Sequence, residues 1–309
     1  MNTAIYLLKT VILITAGVIF ANIVLESSVM RKVSPLMRPF CRASNLPREG
    51  ALSLFTSFFN PTAGKSTLAG FYHEEKLGEK ETILTLLMST FPIVIGESLF
   101  RVHAPITLVL LGPVIGSIYL ALGLLSAFLQ SFAALIYAKV RFSPPTCIDD
   151  QIYAEVPGLS GNQKLKTALN KSLNSLKQII PIMVVSFVVI EILFEQGIMS
   201  HISVLFDPVL RVLDLPGEVI TALVAELAHF SAAYATVAAL LTKGVITAKQ
   251  AILTLLIGSM VTITLVYAKY SFSMYLSLFG KLGVKITVIT YLSSMSAKLF
   301  TILLVILVM

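Results

Sequence analysis

The sequence has few charged residues, no tryptophan and only two cysteines. Charged side chains make up 13% of its 309 residues, and hydrophobic ones make up 56%. A typical soluble domain is nearer a quarter charged. So little polar surface excludes a water-soluble globular protein of this size, because most of the apolar surface has to face lipid. Without tryptophan, tyrosine must supply any aromatic belt at the membrane interface.

The scarcity of cysteine and of polar stretches also limits the kinds of functional site that the chain can contain. Cys41 and Cys147 are too few for a disulfide framework and are wrongly spaced for a zinc site. No segment has the composition of a soluble enzyme domain, so we expect neither enzymatic activity nor a cofactor. The net charge of +7 is best explained by basic loops on one side of a membrane. We therefore expect no nucleic-acid partner.

The chain repeats itself at an offset of 169 residues. Residues 83–87 and 252–256 both read ILTLL, and over residues 39–87 the ungapped match has 15 identities in 49 positions. The matched positions include proline, arginine and glutamate, which chance similarity between apolar helices would not bring into register. The sequence therefore contains two copies of one unit.

The repeat predicts two membrane repeats, at 1–140 and 178–309. Each begins with an apolar helix and an interfacial stretch, continues through a segment broken by polar residues, and ends in two more apolar segments joined by a short connector. In order, the predicted segments are 5–28, 49–73, 80–102 and 116–140 in the first repeat, and 178–198, 218–242, 249–268 and 285–309 in the second.

The linker at 141–177 is the longest polar stretch. It contains a pattern typical of an amphipathic helix, with leucines on one face and lysines around them. Such a helix is expected to lie on an anionic membrane surface. The leucines are Leu165, Leu169, Leu173 and Leu176, and the lysines are Lys164, Lys166, Lys171 and Lys177.

Asn60-Pro61 interrupts the middle of segment 49–73. Proline removes a backbone donor and restricts the residue before it, so a helix should break there. Each arm of about 11 residues would rise roughly 16 Å, enough to reach the membrane midplane and return. A broken helix at that depth is tolerated only within protein or beside a cavity. The segment could span the membrane or form a re-entrant hairpin.

The distribution of basic residues favours the hairpin. If both broken segments span, the loop lysines and arginines divide almost evenly between the two sides. If both are re-entrant, each repeat has three crossings, the second repeat is inverted, and 16 basic residues face four. The positive-inside rule prefers this arrangement. It predicts an all-α polytopic cell-membrane protein of two inverted repeats, with a cytoplasmic linker and both termini extracytoplasmic.

Two stretches resemble the nucleoside recognition, or Gate, domain family. They read ALSLFTSFFNPTAGKSTLAGFYHEEKLGEKE at 51–81 and ALVAELAHFSAAYATVAALLTKGVITAKQ at 222–250. The Gate domain recurs in concentrative nucleoside transporters, ferrous-iron transporter B proteins and spore maturation proteins. The chain looks most like stand-alone members with two such domains. This resemblance implies membrane permeation or gating, with hairpins that help to form the site, but it does not specify a nucleoside.

The first broken segment offers a candidate ligand site. Asn60 suits the cap and Pro61 the first position of a following helix. The N-terminal dipole of that helix and the charge of Lys65 would favour an anionic or oxygen-rich ligand. Alternatively, Lys65 pairs with an acid such as Glu97. Gly64-Lys65-Ser66 is not a phosphate loop, since position 59 is phenylalanine rather than glycine. The candidate ligands here are Asn60, Thr62, Lys65 and Ser66.

The second broken segment carries polar groups at the matching place, two of them readily ionisable, namely Glu226, His229, Ser231 and Tyr234. Ionisable groups within a membrane usually mark ion or proton pathways. A satisfied polar contact between hairpin and scaffold is the alternative. Glu226 and His229 are too few to hold a metal, so we expect no metal site.

Other charged positions divide into two kinds. Glu26 and Glu195 match across the repeat, as do Glu49 and Glu218, and helix-end solvation or capping explains them. Three further groups lie within apolar segments. Glu97 and Glu191 join Glu226 as candidates for ion coupling, and Lys298 lies in the middle of the last segment, either in a polar cavity or snorkelling.

These features favour a secondary transporter. It would move a small polar or anionic solute, such as a nucleoside-like molecule, or an ion, by alternating access around the two hairpin tips. A non-transporting membrane scaffold and an ion channel are the alternatives. The expected partners are the solute and the lipid bilayer, and a homo-oligomer is left open.

Overall fold

The computed structural model describes residues 43–95, 103–142, 215–228 and 230–309, together with isolated residues between 12 and 19 and between 165 and 181. Throughout these ranges the regular structure is helical, and no strand occurs in them. The first apolar helices predicted for each repeat, at 5–28 and 178–198, lie almost wholly outside the described residues. In the linker, the described leucines Leu165, Leu169 and Leu173 are helical and exposed.

Nine helices and one π-helical segment have defined bounds within the four described ranges. In the first repeat they are α1 (Arg48–Phe59), α2 (Pro61–His73), α3 (Glu79–Val94) and α4 (His103–Arg141). In the second repeat they are α5 (Val219–Ala228), α6 (Phe230–Thr242), α7 (Ala248–Val266), the π-helical segment Tyr267–Ser271, α8 (Phe272–Phe279) and α9 (Lys281–Val308).

The helix bounds follow the 169-residue offset of the sequence repeat. Helices α2 and α6 begin at Pro61 and Phe230 and are both 13 residues long. Helix α4 begins at His103 and α8 at Phe272, at the same offset. The repeated sequence therefore folds into a repeated series of helices.

The short connectors predicted before the last apolar segment of each repeat are wrong. In the second repeat this stretch is α8, and in the first it is the opening part of α4. A glycine with a positive φ angle ends each of these short helices: Gly112 has φ +77° and Gly280 has φ +58°. Such left-handed backbone is accessible to glycine at little cost. A long helix, about 30 residues in each repeat, follows at once.

A side chain from α4 bonds to the backbone of α3. The Ser131 hydroxyl accepts from the Phe91 N–H at 2.9 Å and donates to the Leu87 carbonyl at 3.1 Å. In an undisturbed helix these two backbone groups would bond each other. Pro92 follows immediately and provides no donor of its own. Ser131 of α4 therefore bonds to two backbone groups near the end of α3.

Three helical stretches in the described residues are long and apolar enough to cross a membrane, namely Ile106–Arg141, Ala248–Phe279 and Lys281–Val308. Their large exposed apolar side chains, such as Val109, Phe132 and Leu303, are surface that lipid can cover. The protein is therefore a helical membrane protein.

Helices from both repeats combine in two compact units. The first unit comprises Met1–Ile93, Gln130–Ser186 and Ser273–Ile286, so it holds α1, α2 and α3 together with most of α8. The second comprises Val94–Leu129, Phe187–Phe272 and Thr287–Met309, and holds α5, α6 and α7 with much of α4 and α9. Each pair of short helices thus shares a unit with a stretch from the other repeat.

The second unit has a continuous apolar core. Ile252, Leu255 and Leu256 of α7 are almost completely buried in it and pack with side chains from α4, α5, α6 and α9. This core fixes the short helices α5 and α6, which carry the polar groups described below.

Candidate functional site

The break between α1 and α2 is built by local sequence. Asn60 has an extended backbone, and its side-chain oxygen accepts from the Ala63 N–H at 3.0 Å, while Pro61 occupies the first helical position. Asparagine before proline satisfies one of the donors that a helix start leaves open. The predicted cap is confirmed.

The chain reverses direction at this break. In a continuous helix, positions seven apart are about 10 Å apart along the axis. Yet a Cβ added to Gly64 would lie only 2.7 Å from the backbone nitrogen of Ser57. Helix α2 therefore packs directly back on α1, and only glycine at position 64 permits this approach.

Lys65 faces a helix from the second repeat. Its ammonium group lies over the Tyr275 ring of α8, 5.3 Å from the ring centroid. Further along the same two helices, His73 Nε2 is 2.7 Å from the Leu278 carbonyl, and Tyr72 contacts Phe279. Lys65 thus has an aromatic neighbour at a distance typical of a cation–π contact. Its alternative partner, Glu97, lies outside the described residues.

The equivalent break in the second repeat separates α5 from α6 and carries a buried acid. Glu226 lies in the last turn of α5 and is 8% exposed. Its carboxylate accepts a hydrogen bond from the Thr262 hydroxyl of α7 at 2.9 Å. It also lies along Gly258, where an added Cβ would come within 3.4 Å of Oε2. Helix α7 therefore provides both a donor and the space for this carboxylate.

Two tyrosines extend the polar region beyond Glu226. Tyr234 of α6 and Tyr119 of α4 are both buried, with hydroxyl oxygens 3.5 Å apart and rings in an edge-to-face contact at 5.6 Å. The Tyr234 hydroxyl also interacts with the side chain of Thr107, which is fully buried. Both tyrosine hydroxyls lie within electrostatic range of Glu226.

Lys298 supplies the opposite charge. It lies in the middle of α9, is partly buried, and is within electrostatic range of the Glu226 carboxylate. Five helices of the second unit thus bring together six polar side chains, which we call the Glu226 cluster. Its members are Thr107, Tyr119, Glu226, Tyr234, Thr262 and Lys298.

The residues predicted from sequence fall into two sets. Asn60, Thr62, Lys65 and Ser66 belong to the first unit, and Glu226 and Tyr234 to the second. The Ser66 hydroxyl donates to the Thr62 carbonyl at 2.8 Å, so this pair is engaged within α2. His229 and Glu191, like Glu97, lie outside the described residues, and so does the side chain of Ser231.

Sequence reasoning missed most of the Glu226 cluster. Tyr119, Thr107 and Thr262 are ordinary residues in apolar helices, and nothing in their local sequence distinguishes them. Lys298 could be recognised as a charge within an apolar segment, but its proximity to Glu226 spans 72 positions of the chain. Only the shared core of α4, α5, α6, α7 and α9 brings these groups together.

The cluster combines one carboxylate, one ammonium group and four hydroxyls. A carboxylate in an apolar interior is costly unless it is paired or protonated. The neighbouring ammonium and the Thr262 hydroxyl stabilise its charge, while the tyrosine hydroxyls can donate or accept. Chemically, the arrangement can exchange a proton, bind an ion or hold a polar solute.

Comparison with known proteins gives one family match, repeated in the chain. The model of the Gate family, described as nucleoside recognition, matches residues 7–107 and 176–282. Both copies include a broken pair of helices and the residues that follow it.

Three proteins of Methanocaldococcus jannaschii are similar over most of their length. Uncharacterized protein MJ0880 is 42% identical over 302 residues, which cover 97% of each chain. Uncharacterized protein MJ0871 is 25% identical over 97% of this chain and 93% of its own. Uncharacterized protein MJ1556 is 25% identical over 83% and 81%, respectively. No solved structure matches the chain.

Proposed function

The chain belongs to the Gate family, described as nucleoside recognition, and from that premise we propose that it is a secondary transporter. It moves a small polar or anionic solute, such as a nucleoside-like molecule, or an ion across the cell membrane by alternating access. The observation that carries this proposal is the Glu226 cluster, in which a buried carboxylate, a partly buried ammonium group and four hydroxyls lie inside an apolar helical protein.

Burial of these groups supports a transport site over a purely structural contact. Helical membrane proteins stabilise themselves mainly by packing of small and apolar residues. Ionisable groups in the interior are expensive and usually line solute or ion pathways. Here Glu226 is 8% exposed and, among the described residues, accepts a hydrogen bond from the Thr262 hydroxyl at 2.9 Å; a carboxylate can accept several. A carboxylate of this kind can also take up a proton or bind a polar ligand.

The two broken pairs, α1–α2 and α5–α6, supply the second part of the proposal. We take them as re-entrant hairpins of two inverted repeats, with tips at the membrane midplane. Discontinuous helices in transporters present their ends to the solute and coupling ion. At the first tip, Asn60, Thr62, Lys65 and Ser66 would contact the solute, and at the second tip Glu226, His229, Ser231 and Tyr234.

The proposed orientation places the linker at 141–177 in the cytoplasm and both termini outside it. Its basis is the asymmetric distribution of lysine and arginine over the loops. The lysine-rich linker helix would then lie on the inner leaflet, whose anionic lipids attract basic segments.

A binding screen followed by flux measurements tests the proposal. Purified protein is screened for thermal stabilisation by nucleosides, organic anions and inorganic ions. Each stabilising compound is then assayed by counterflow in proteoliposomes. Wild-type protein should accumulate labelled compound against an unlabelled internal pool, because a carrier exchanges solute through one site.

Glu226→Gln is the informative variant, and Glu218→Gln is its matched control. Glu218 precedes the same helix but is exposed, so its loss should leave flux unchanged. Glu226→Gln should reduce net uptake at least about tenfold, since one missing charged contact costs more than about 1.4 kcal/mol. Binding without counterflow would contradict transport and favour a scaffold. Flux that never saturates would favour a channel.

A further inference from the structure

The serine and threonine hydroxyls of α7 differ in where they bond. Those of Thr254, Ser259 and Thr264 donate to carbonyls of α7 itself, at 2.6 to 2.9 Å. This arrangement is common within a helix, where the carbonyl three or four positions earlier lies within reach. The Thr262 hydroxyl instead donates to Glu226 Oε1 of α5, at 2.9 Å. Thr262 therefore directs its donor to another helix, and the acceptor is the buried acid of the proposed site.

A second contact with the same helix lies beside this hydrogen bond. Gly258 precedes Thr262 by four positions, so the two residues share one face of α7. A Cβ added to Gly258 would lie 3.4 Å from Oε2 and 3.5 Å from Cδ of Glu226, which are ordinary van der Waals distances. The carboxylate therefore lies close alongside α7, and within that contact the Thr262 hydroxyl is its directional partner.

The first repeat lacks this pair of acid and hydroxyl. At the offset of 169 residues, Glu226, Gly258 and Thr262 correspond to Ser57, Ser89 and Ile93. The two serine hydroxyls donate to carbonyls of their own helices, each at 2.7 Å. Isoleucine has no donor at all. The side chains at these positions in the first repeat are therefore not joined by a bond of this kind.

The helices that carry these positions nevertheless pack on each other in the first repeat as well. Helix α1 approaches α3 at Gly50, where an added Cβ would lie 3.0 Å from the Thr85 hydroxyl oxygen. The first arm of a broken pair thus contacts the helix that follows the pair without an acid bonded to a hydroxyl. Since the architecture does not require this bond, its presence in the second repeat points to function.

We infer that Thr262 is a positioning residue of the transport site, which holds the Glu226 carboxylate in one orientation for the proton, ion or solute that it engages. The inference deepens the proposed function and rests on it. Thr262 acts through Glu226 and does not need to touch the solute. A carboxylate that is already oriented avoids an entropic cost at the moment of binding. Loss of the Thr262 hydroxyl should therefore weaken binding more than it slows the transport cycle.

Three substitutions separate the hydroxyl from the shape of the side chain. Thr262→Val removes the donor at nearly constant shape, and Thr262→Ser keeps it. Thr254→Val is the matched control, because Thr254 is a buried threonine of the same helix whose hydroxyl bonds within α7. The purified full-length variants are reconstituted in oriented bilayers in acidic buffer and measured by polarised infrared spectroscopy. Subtracting the spectrum of Glu226→Gln isolates the carbonyl stretch of the protonated Glu226 carboxyl.

In wild-type protein this band should be narrow and polarised, because the carboxyl group has one orientation. In Thr262→Val it should shift to higher wavenumber, since the carbonyl loses a donor, and it should lose most of its polarisation. Thr262→Ser should restore both properties, and Thr254→Val should match wild-type. A Thr262→Val band with the wild-type position and polarisation would overturn the inference.

Transport kinetics give the functional test, with a compound that passes the counterflow screen. Thr262→Val should raise its half-saturating concentration about threefold to tenfold, while the maximal rate changes by less than about twofold. Thr262→Ser should restore both values. An equal loss in both quantities, or a loss that serine does not restore, would mean that Thr262 only supports the fold and would overturn the inference. If no compound shows counterflow, the transport proposal fails, whereas the infrared spectra still decide whether Thr262 orients Glu226.

Discussion

Gly64 is a point of very close contact between α1 and α2. Its position has no room for a side chain, because an added Cβ would meet the hydroxyl of Ser57 and also its backbone atoms, which cannot turn away as a side chain can. Gly70 lies on the same helix, and an added Cβ there would have no atom within 4 Å. The two glycines therefore offer a matched pair for measuring the close contact.

Gly64→Ala should destabilise the protein by about 1–3 kcal/mol, since overpacking forces backbone movement. Gly70→Ala should be neutral or stabilising by up to about 1 kcal/mol, because alanine is the better helix former. Melting temperatures of the two purified variants check the prediction. Equal effects of the two substitutions would contradict the close approach at Ser57.

Single residues differ in how far the sequence reveals them. The roles of Asn60 and Pro61 could be predicted, because capping depends on chemistry within a few positions of the chain. The surroundings of Glu226 could not, because Thr262, Tyr119 and Lys298 lie far from it in the chain and come near it only through the packing of distant segments. Lys65 shows the same limit, since its neighbour Tyr275 comes from the other repeat.

At the scale of the helix, each broken pair joins two arms too short to cross a membrane. Helix α1 has 12 residues and α2 has 13, whereas a spanning helix needs about 20. In a bilayer, the irregular backbone at such a break must meet protein or water. If these tips belong to a solute pathway, water should reach them.

Cysteines at the two tips test this directly in a variant lacking Cys41 and Cys147. Asn60→Cys and Ser231→Cys should react with a small water-soluble thiol reagent, and a transported solute should protect them. Phe132→Cys is the control, because Phe132 is exposed on the apolar surface of α4 and should face lipid. It should remain unlabelled.

Labelling of the tips at the rate of the control would contradict an aqueous pathway and favour a scaffold. Loss of the Asn60 cap costs only about 1 kcal/mol, so that variant should still fold. Protection by solute distinguishes a binding site from a merely hydrated crevice.

The broken helices could be predicted from sequence, but the short helices before the long ones could not. Asn60-Pro61 gives a strong local signal, because proline excludes a continuous helix. At Gly112 and Gly280 one residue with positive φ separates two apolar helices. Hydrophobicity continues across that residue, so composition alone does not reveal the turn. The bonds from the Ser131 hydroxyl of α4 to the backbone of α3 likewise depend on tertiary packing.

For the whole molecule, the central question is the orientation of the two repeats. The helix bounds repeat at the offset found in the sequence, but the same bounds fit parallel and inverted insertion. The difference lies in which side of the membrane each loop occupies, and basic residues provide the physical bias. The loop after α2 contains Lys76, and the equivalent loop after α6 contains Lys243.

In the inverted arrangement these two equivalent loops are on opposite sides of the membrane. Glu75 and Gly244 occupy matching positions in them, and both are exposed. In the cysteine-free background, Glu75→Cys should therefore react with a membrane-impermeant thiol reagent only from the cytoplasmic side. Lys243→Cys, beside Gly244, should react only from the outside. Labelling in intact cells and in inverted vesicles measures both.

Reporter fusions give an independent measurement of the same arrangement. A reporter inserted in the linker at 141–177 should be active in the cytoplasm, and one placed after Met309 should be active outside it. The reason is the 16-to-4 division of basic loop residues, since moving that many charges to the outer face opposes insertion. If linker and C-terminus report the same side, the repeats are not inverted. In that case, cysteines in the loops after α2 and α6 should also react with the thiol reagent from the same side of the membrane. The two measurements therefore test the same arrangement and have to agree.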